Sequence, residues 1–154
     1  MPFSWSRRAT QTVSAVAMSA LLMASAMKHF REPGFFHQVV PDFLCREDSG
    51  AEAGGSANGP MAVMSRDEWV AVSGLIEAAA AVGLLIPATR RATATGVTVM
   101  FAAFLAGHVD ALRRAYGPQG TAKQRKAHTV RLPLQLPLMA WAWSLGRPVS
   151  GART

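Results

Sequence analysis

The sequence is poor in cysteine, in tyrosine and in acid. Of its 154 residues, one is cysteine, Cys45, and one is tyrosine, Tyr116. A single thiol excludes an internal disulfide, a CxxC redox pair and a cysteine zinc cage, so Cys45 reads as an ordinary loop thiol. No P-loop, dinucleotide glycine fingerprint or HExxH occurs, which leaves out the chemistry those motifs serve. Nine acidic residues stand against sixteen Lys and Arg, a net charge of +7. In a soluble protein that excess would suggest nucleic acid. Here no aromatic-plus-basic recognition motif accompanies it, and nucleic acid is not expected as a partner.

A second absence is positional. Charge is nearly missing from stretches of about 16–22 residues and gathers in blocks between them. The mean hydropathy of +0.17 conceals this division. A run of ~20 apolar residues crosses the ~30 Å hydrocarbon layer as a helix. A soluble bundle would carry charge on one face of every helix, and these segments show no such face. The expected fold is all-α, a four-helix transmembrane bundle with an interfacial segment after the first helix. Its partner is the lipid bilayer, and the excess Lys and Arg flank the spans.

After a head at 1–8 ending in Arg7-Arg8, the first span is expected at about 9–27. The basic start and Ala24-Ser25-Ala26 also suit a secretory signal, whose removal would leave three spans. Residues 31–67 form a long connection. Its first part, REPGFFHQVVPDFL, is expected at the interface with Phe35, Phe36 and Phe43 dipping into lipid. Its second part, about 46–65, has a Gly, Ala, Ser and acid composition that cannot bury a core and reads as a flexible insertion. The second span is expected at about 68–86, stopped by Pro87. The third, at about 92–112, is its antiparallel neighbour across a tight turn. The fourth is expected at about 130–145, with Trp141 and Trp143 as interface anchors, and a tail at 147–154 follows. An even number of spans puts both termini on one side, with six basic residues and no acid against ten basic residues opposite. The plain count disfavours cytoplasmic termini. The tight Arg90-Arg91 turn favours them, and termini inside are the expectation.

Polar residues in lipid are expensive and usually face the bundle interior. Glu77 lies about nine residues into the second span, ~14 Å deep at the rise of a helix. Ser73 and Ala81 share its face, and Gly74 and Ala78 beside them permit close approach of a neighbour. His108 lies about five residues before Arg113, and His29 at similar depth. Gln135 sits one turn inside Arg131, between Pro133 and Pro137, whose missing N–H groups free the carbonyls of Thr129 and Pro133. The antiparallel order brings His29, Glu77, His108, Arg131 and Gln135 to the half of the bilayer nearer the long connection. The other half is nearly pure Ala, Val, Leu and Met. These five residues are expected to form a ligand-binding polar pocket lidded by residues 31–45. A structural role stands beside each: Glu77 tied to a neighbour's polar group, His108 at the interface, Gln135 at a satisfied bend. No catalytic residue and no metal ligand is assigned.

Four segments occur in an order and spacing that resembles the DoxX-like family of small bacterial integral membrane proteins. They are HF at 29–30, VVPDFL at 39–44, SGLIEAAAAVGLLIPATRR at 73–91 and RLPLQLPLMAWAW at 131–143. Similar proteins often carry Pro where Cys45 stands, and Pro-Ala-Asn where this chain reads Leu105-Ala106-Gly107-His108. The resemblance implies a noncatalytic subunit or scaffold in a membrane complex of redox or oxidative-stress chemistry, with redox-complex proteins as partners. Quinone or haem would be the cofactor by that analogy alone. The polar pocket suggests instead a small-molecule, quinone or proton-linked transporter or binding protein. An enzyme using Glu77 and His108 as acid and base would need both within reach of a substrate.

Overall fold

The structure is a computed structural model that describes residues 6–46 and 62–148. The head before Ser6, residues 47–61 of the 46–65 insertion and the end of the tail lie outside the described residues. Within them stand four α-helices: α1 (Arg7–Arg31), α2 (Arg66–Leu85), α3 (Arg90–Ala115) and α4 (Ala122–Leu145). Three short 3-10 turns between α1 and α2 form a strap over residues 33–44.

Each helix begins and ends for a local reason. The Ser6 Oγ accepts the Ala9 N–H and opens α1, satisfying a donor that has no partner within the helix. Lys28, His29 and Arg31 occupy its last turn, where positive charge complements the helix dipole. A capping box starts α2: Glu68 N–H donates to Ser65 Oγ and Ser65 N–H to Glu68 Oε2. The same arrangement between Thr121 and Gln124 starts α4, eight residues before the expected span. Pro87 ends α2, and the carbonyls left without helix partners there accept Arg90 Nε–H and the Thr89 hydroxyl.

Helices α1, α2 and α3 are long and apolar enough to cross a membrane. Helix α4 is not among them, which corrects the expectation of four spans readable from composition. Its stretch holds Arg131, Gln135 and two prolines, and its first turns are basic. Most of each apolar window on α1–α3 faces outward, with a third or less buried inside.

Helix α1 packs chiefly on α2, and α3 on α4. At the end near the termini all four converge on one core that includes Ala15, Met18, Leu84, Val97 and Ala142. Hydrogen bonds close that end: Trp141 Nε1–H to Ser14 Oγ at 2.7 Å, and Gln11 Nε2–H to the Leu145 and Arg147 carbonyls at 3.2 and 3.3 Å. Trp143 is exposed and Trp141 half-buried, so the two tryptophans do different work. At the opposite end the two helix pairs part and the strap lies between them. Gly107 permits this: a Cβ there would lie 2.3 Å from the Val39 carbonyl oxygen. The base of the insertion is pinned where Arg46 N–H donates to the Met64 carbonyl at 2.8 Å.

Candidate functional site

Between the parted helices lies a cavity of about 410 Å³. Its wall is mostly apolar, with Trp69, Val70, Phe101, Phe104 and Leu138 on the helices and Val39, Val40, Pro41, Phe43 and Leu44 on the strap side. Six polar side chains interrupt it: Ser25, His29, Ser73, Glu77, His108 and Gln135. Four of the five residues expected to share a pocket therefore line one cavity.

His29 and Glu77 meet because α1 and α2 approach closely at Gly74, where a Cβ would lie 2.9 Å from the Cβ of His29. The His29 Nδ1–H donates to the Ser25 carbonyl at 2.9 Å. That bond fixes the tautomer and turns the ring so that it stacks on Phe36, 3.6 Å between centroids. Glu77 Oε2 lies 3.6 Å from the same Nδ1, beyond a good hydrogen bond. Glu77 is only 3% exposed, and its Oε2 is buried with no hydrogen-bond partner among the described residues. His108 Nδ1 is orphaned in the same way. Gln135 is spent differently: its Nε2–H donates to the Phe101 carbonyl at 2.9 Å and ties α4 to α3.

Arg131 is a correction to the expected pocket. It does not line the cavity. Its guanidinium lies over the Phe35 ring, 4.4 Å from the centroid, because a long charged side chain reaches for the rim while its stem stays packed. Phe36 is a second correction: it turns inward onto His29 rather than toward lipid.

Sequence reading missed the residues that hold the strap. Asp42 accepts a hydrogen bond from Arg66, and Arg114 Nη1 lies 2.8 Å from the same carboxylate oxygen. Burial works against the Asp42 charge, but the hydrogen bonds and charges of Arg66 and Arg114 outweigh it and hold the carboxyl below its ordinary value. Arg66 also donates to the His37 carbonyl and Arg114 to the Gln38 carbonyl, both at 2.8 Å. Trp69 Nε1–H donates to the Leu44 carbonyl at 2.7 Å. The available signal was an acid set alone within the apolar VVPDFL.

No three of His, Cys, Asp and Glu converge as metal ligands among the described residues. The cavity can therefore offer apolar contact and a few hydrogen bonds concentrated at Glu77 and His108.

A family model described as "Domain of unknown function (DUF8561)" matches residues 18–146. No curated protein and no solved structure matches. This overturns the DoxX-like resemblance, and the expectations of a quinone or haem cofactor by analogy lose their footing with it. The longest of the segments that carried it, 73–91, is largely an Ala, Leu, Ile, Val and Gly run closed by Pro87 and Arg90-Arg91. Any span followed by a tight turn tends to that composition.

Proposed function

The chain belongs to the DUF8561 family, and from that premise, with no activity to inherit, we propose a multi-pass membrane protein that binds a lipophilic small molecule with a polar head. The ligand occupies the cavity, its head against Glu77 and His108. The observation that carries this reading is the pair of orphaned atoms, Glu77 Oε2 and His108 Nδ1, on an otherwise apolar wall. A buried polar atom left without a partner costs ~1–3 kcal/mol, and a ligand hydroxyl, amine or carbonyl would relieve that cost.

Two features support membrane entry. The lining residues Leu21, Phe43, Ala103 and Ala106 are exposed. Leu21 and Ala103 lie near the middle of their helices, at hydrocarbon depth if these helices span. The strap covers the aqueous end, so the opening is lateral. Helix α4 fits as a fourth span despite its average composition. His128 and Gln135 are buried inward, while Val130, Leu134, Leu136 and Trp143 are exposed. From Val130 to Trp143 its exposed side chains are apolar, with His128 and Gln135 turned inward, while the basic residues Lys123, Arg125 and Lys126 sit on the exposed first turns before that stretch.

The redox-subunit reading drew its partner from the resemblance, and no observation on the molecule favours it over binding. Purification in mild detergent, solvent extraction and mass spectrometry test the proposal. Wild type should yield a lipophilic small molecule above vesicle background, and Glu77→Gln about tenfold less, the loss of one charge-assisted hydrogen bond. Ala106→Phe, which narrows the mouth without entering the core, should also lower the yield. Equal recovery from all three proteins, or none above background from wild type, would sink the proposal.

For orientation, we propose cytoplasmic termini. Among the described residues that end carries Arg7, Arg8, Arg90, Arg91 and Arg147 with no acid. Cys45, the chain's one cysteine, lies at the opposite end. A membrane-impermeant maleimide should label it in intact cells as fully as in opened ones. Labelling that requires opening the cells reverses the orientation and leaves the ligand proposal standing.

A further inference from the structure

A second cavity, about 710 Å³, opens at the strap end and is distinct in chemistry from the first. Arg66, Arg113, Arg114, His37, Gln124 and His128 line it, and no carboxylate does. The acids nearby are already engaged. Asp42 is shared by Arg66 and Arg114, Asp110 pairs with Arg114 at 3.1 Å, and Asp67 with His37 at 2.6 Å. Arg113 is exposed and enters no ion pair among the described residues. From Arg113 to Arg131 the chain carries six Lys and Arg and no acid. Positive potential therefore exceeds what the local acids cancel.

His128 adds an observation that charge alone does not supply. It is 3% exposed, its Nε2 lies 3.3 Å from Gln38 Oε1, and its Nδ1 is buried with no partner. Burial and the charges of Arg131 and Arg114 disfavour the doubly protonated ring. With a neutral ring and the Gln38 amide turned so that its N–H donates to Nε2, the proton sits on Nδ1 and is left to donate. An arginine fork and a buried imidazole donor around an acid-free cleft suit an oxyanion, and guanidinium geometry matches phosphate oxygens in particular.

We propose that this cleft binds a phosphate group, with Arg113 as the principal fork and His128 as the buried donor. The phosphate is that of a phospholipid headgroup or a free phosphate. The lipid source rests on the membrane reading above, whereas the phosphate chemistry does not.

Native mass spectrometry from neutral detergent distinguishes the sources. The probes are phosphatidylglycerol, the phosphate-free lipid dioleoylglycerol, and inorganic phosphate. Wild type should retain one phosphatidylglycerol beyond what it retains of dioleoylglycerol, which only the first cavity can accept. Arg113→Gln should weaken retention about tenfold, the loss of one charge-assisted contact. Arg91→Gln, at the far end of the bundle, should leave it unchanged. Displacement of the lipid by millimolar inorganic phosphate, or binding of phosphate in its place, assigns the site to free phosphate. Retention without displacement assigns it to the headgroup. Equal retention of dioleoylglycerol, no loss in Arg113→Gln, or an equal loss in Arg91→Gln overturns the proposal.

Discussion

The two ends of this bundle use the same four helices to opposite purposes. Near the termini the contacts are Ala15, Met18, Ala81, Leu84, Ala94, Val97 and Ala142, small or flexible side chains that let all four helices converge. Near the strap the facing positions hold Trp69, Glu77, Phe104, His108 and Gln135, and the helices part around a cavity. Alanine brings helix axes together, while aromatic and polar side chains hold them apart and need partners. The packed end supplies rigidity that the hollow end does not have to supply for itself. That division permits Glu77 Oε2, His108 Nδ1 and His128 Nδ1 to remain buried and unpaired at the hollow end, against Ser19 Oγ beside the packed core among the described residues.

The largest effect expected from this contrast is in stability. Leu84 is fully buried in the packed end. Leu84→Ala should cost ~2–5 kcal/mol, the usual range for a deleted core leucine. Leu44→Ala, on the cavity wall, should cost under ~1.5 kcal/mol, because much of its surface already faces empty space rather than packed atoms. Unfolding of both variants in the same detergent measures the difference. Equal losses would mean that the cavity end is as tightly packed as the other, and the contrast would fail.

Much of this division can be read from the sequence, through two kinds of signal. Helix ends follow short-range chemistry: Ser6, the Ser65–Glu68 pair and Pro87 each act within a few residues. The span expected at about 130–145 comes from an apolar window, which tracks lipid rather than hydrogen bonding and so does not mark where the helix begins. The Thr121–Gln124 box that opens the helix lies outside that window. Antiparallel order alone places His29, Glu77, His108 and Gln135 in one half, since each helix reverses the depth of its neighbour. What the sequence does not show is side-chain aim. Arg131 shares a helix face with Gln135, one turn away, yet goes to Phe35, a partner 96 positions earlier in the chain. The inward turn of Phe36 depends on the 3-10 turns around it, which no period in the sequence announces.

The smallest effect concerns the strap, at the hollow end. Asp42 holds Arg66 and Arg114 together, but its side chain is 62% exposed. Solvent screening limits such a contact to ~0.2–1 kcal/mol. Its carboxyl lies below the ordinary 3.8 in the folded protein. The unfolded or unstrapped chain then takes up a proton at higher pH than the folded one does. The clamp's contribution is therefore complete above the ordinary value and is lost as pH falls through the depressed one. Hydrogen exchange at the Leu44 and Cys45 amides reports it, since these bond the Pro41 and Asp42 carbonyls at 3.1 and 3.0 Å. Near neutral pH, Asp42→Asn should reduce their protection by up to ~5-fold and leave the amides of the packed end unchanged. In strong acid, below the depressed value, variant and wild type should exchange alike. A loss of protection that persists undiminished in acid would mean that the Asp42 charge does not hold the strap. A loss that spreads to α1 and α4 near the termini would mean that the two ends unfold as one, so that neither can be rigid on the other's behalf.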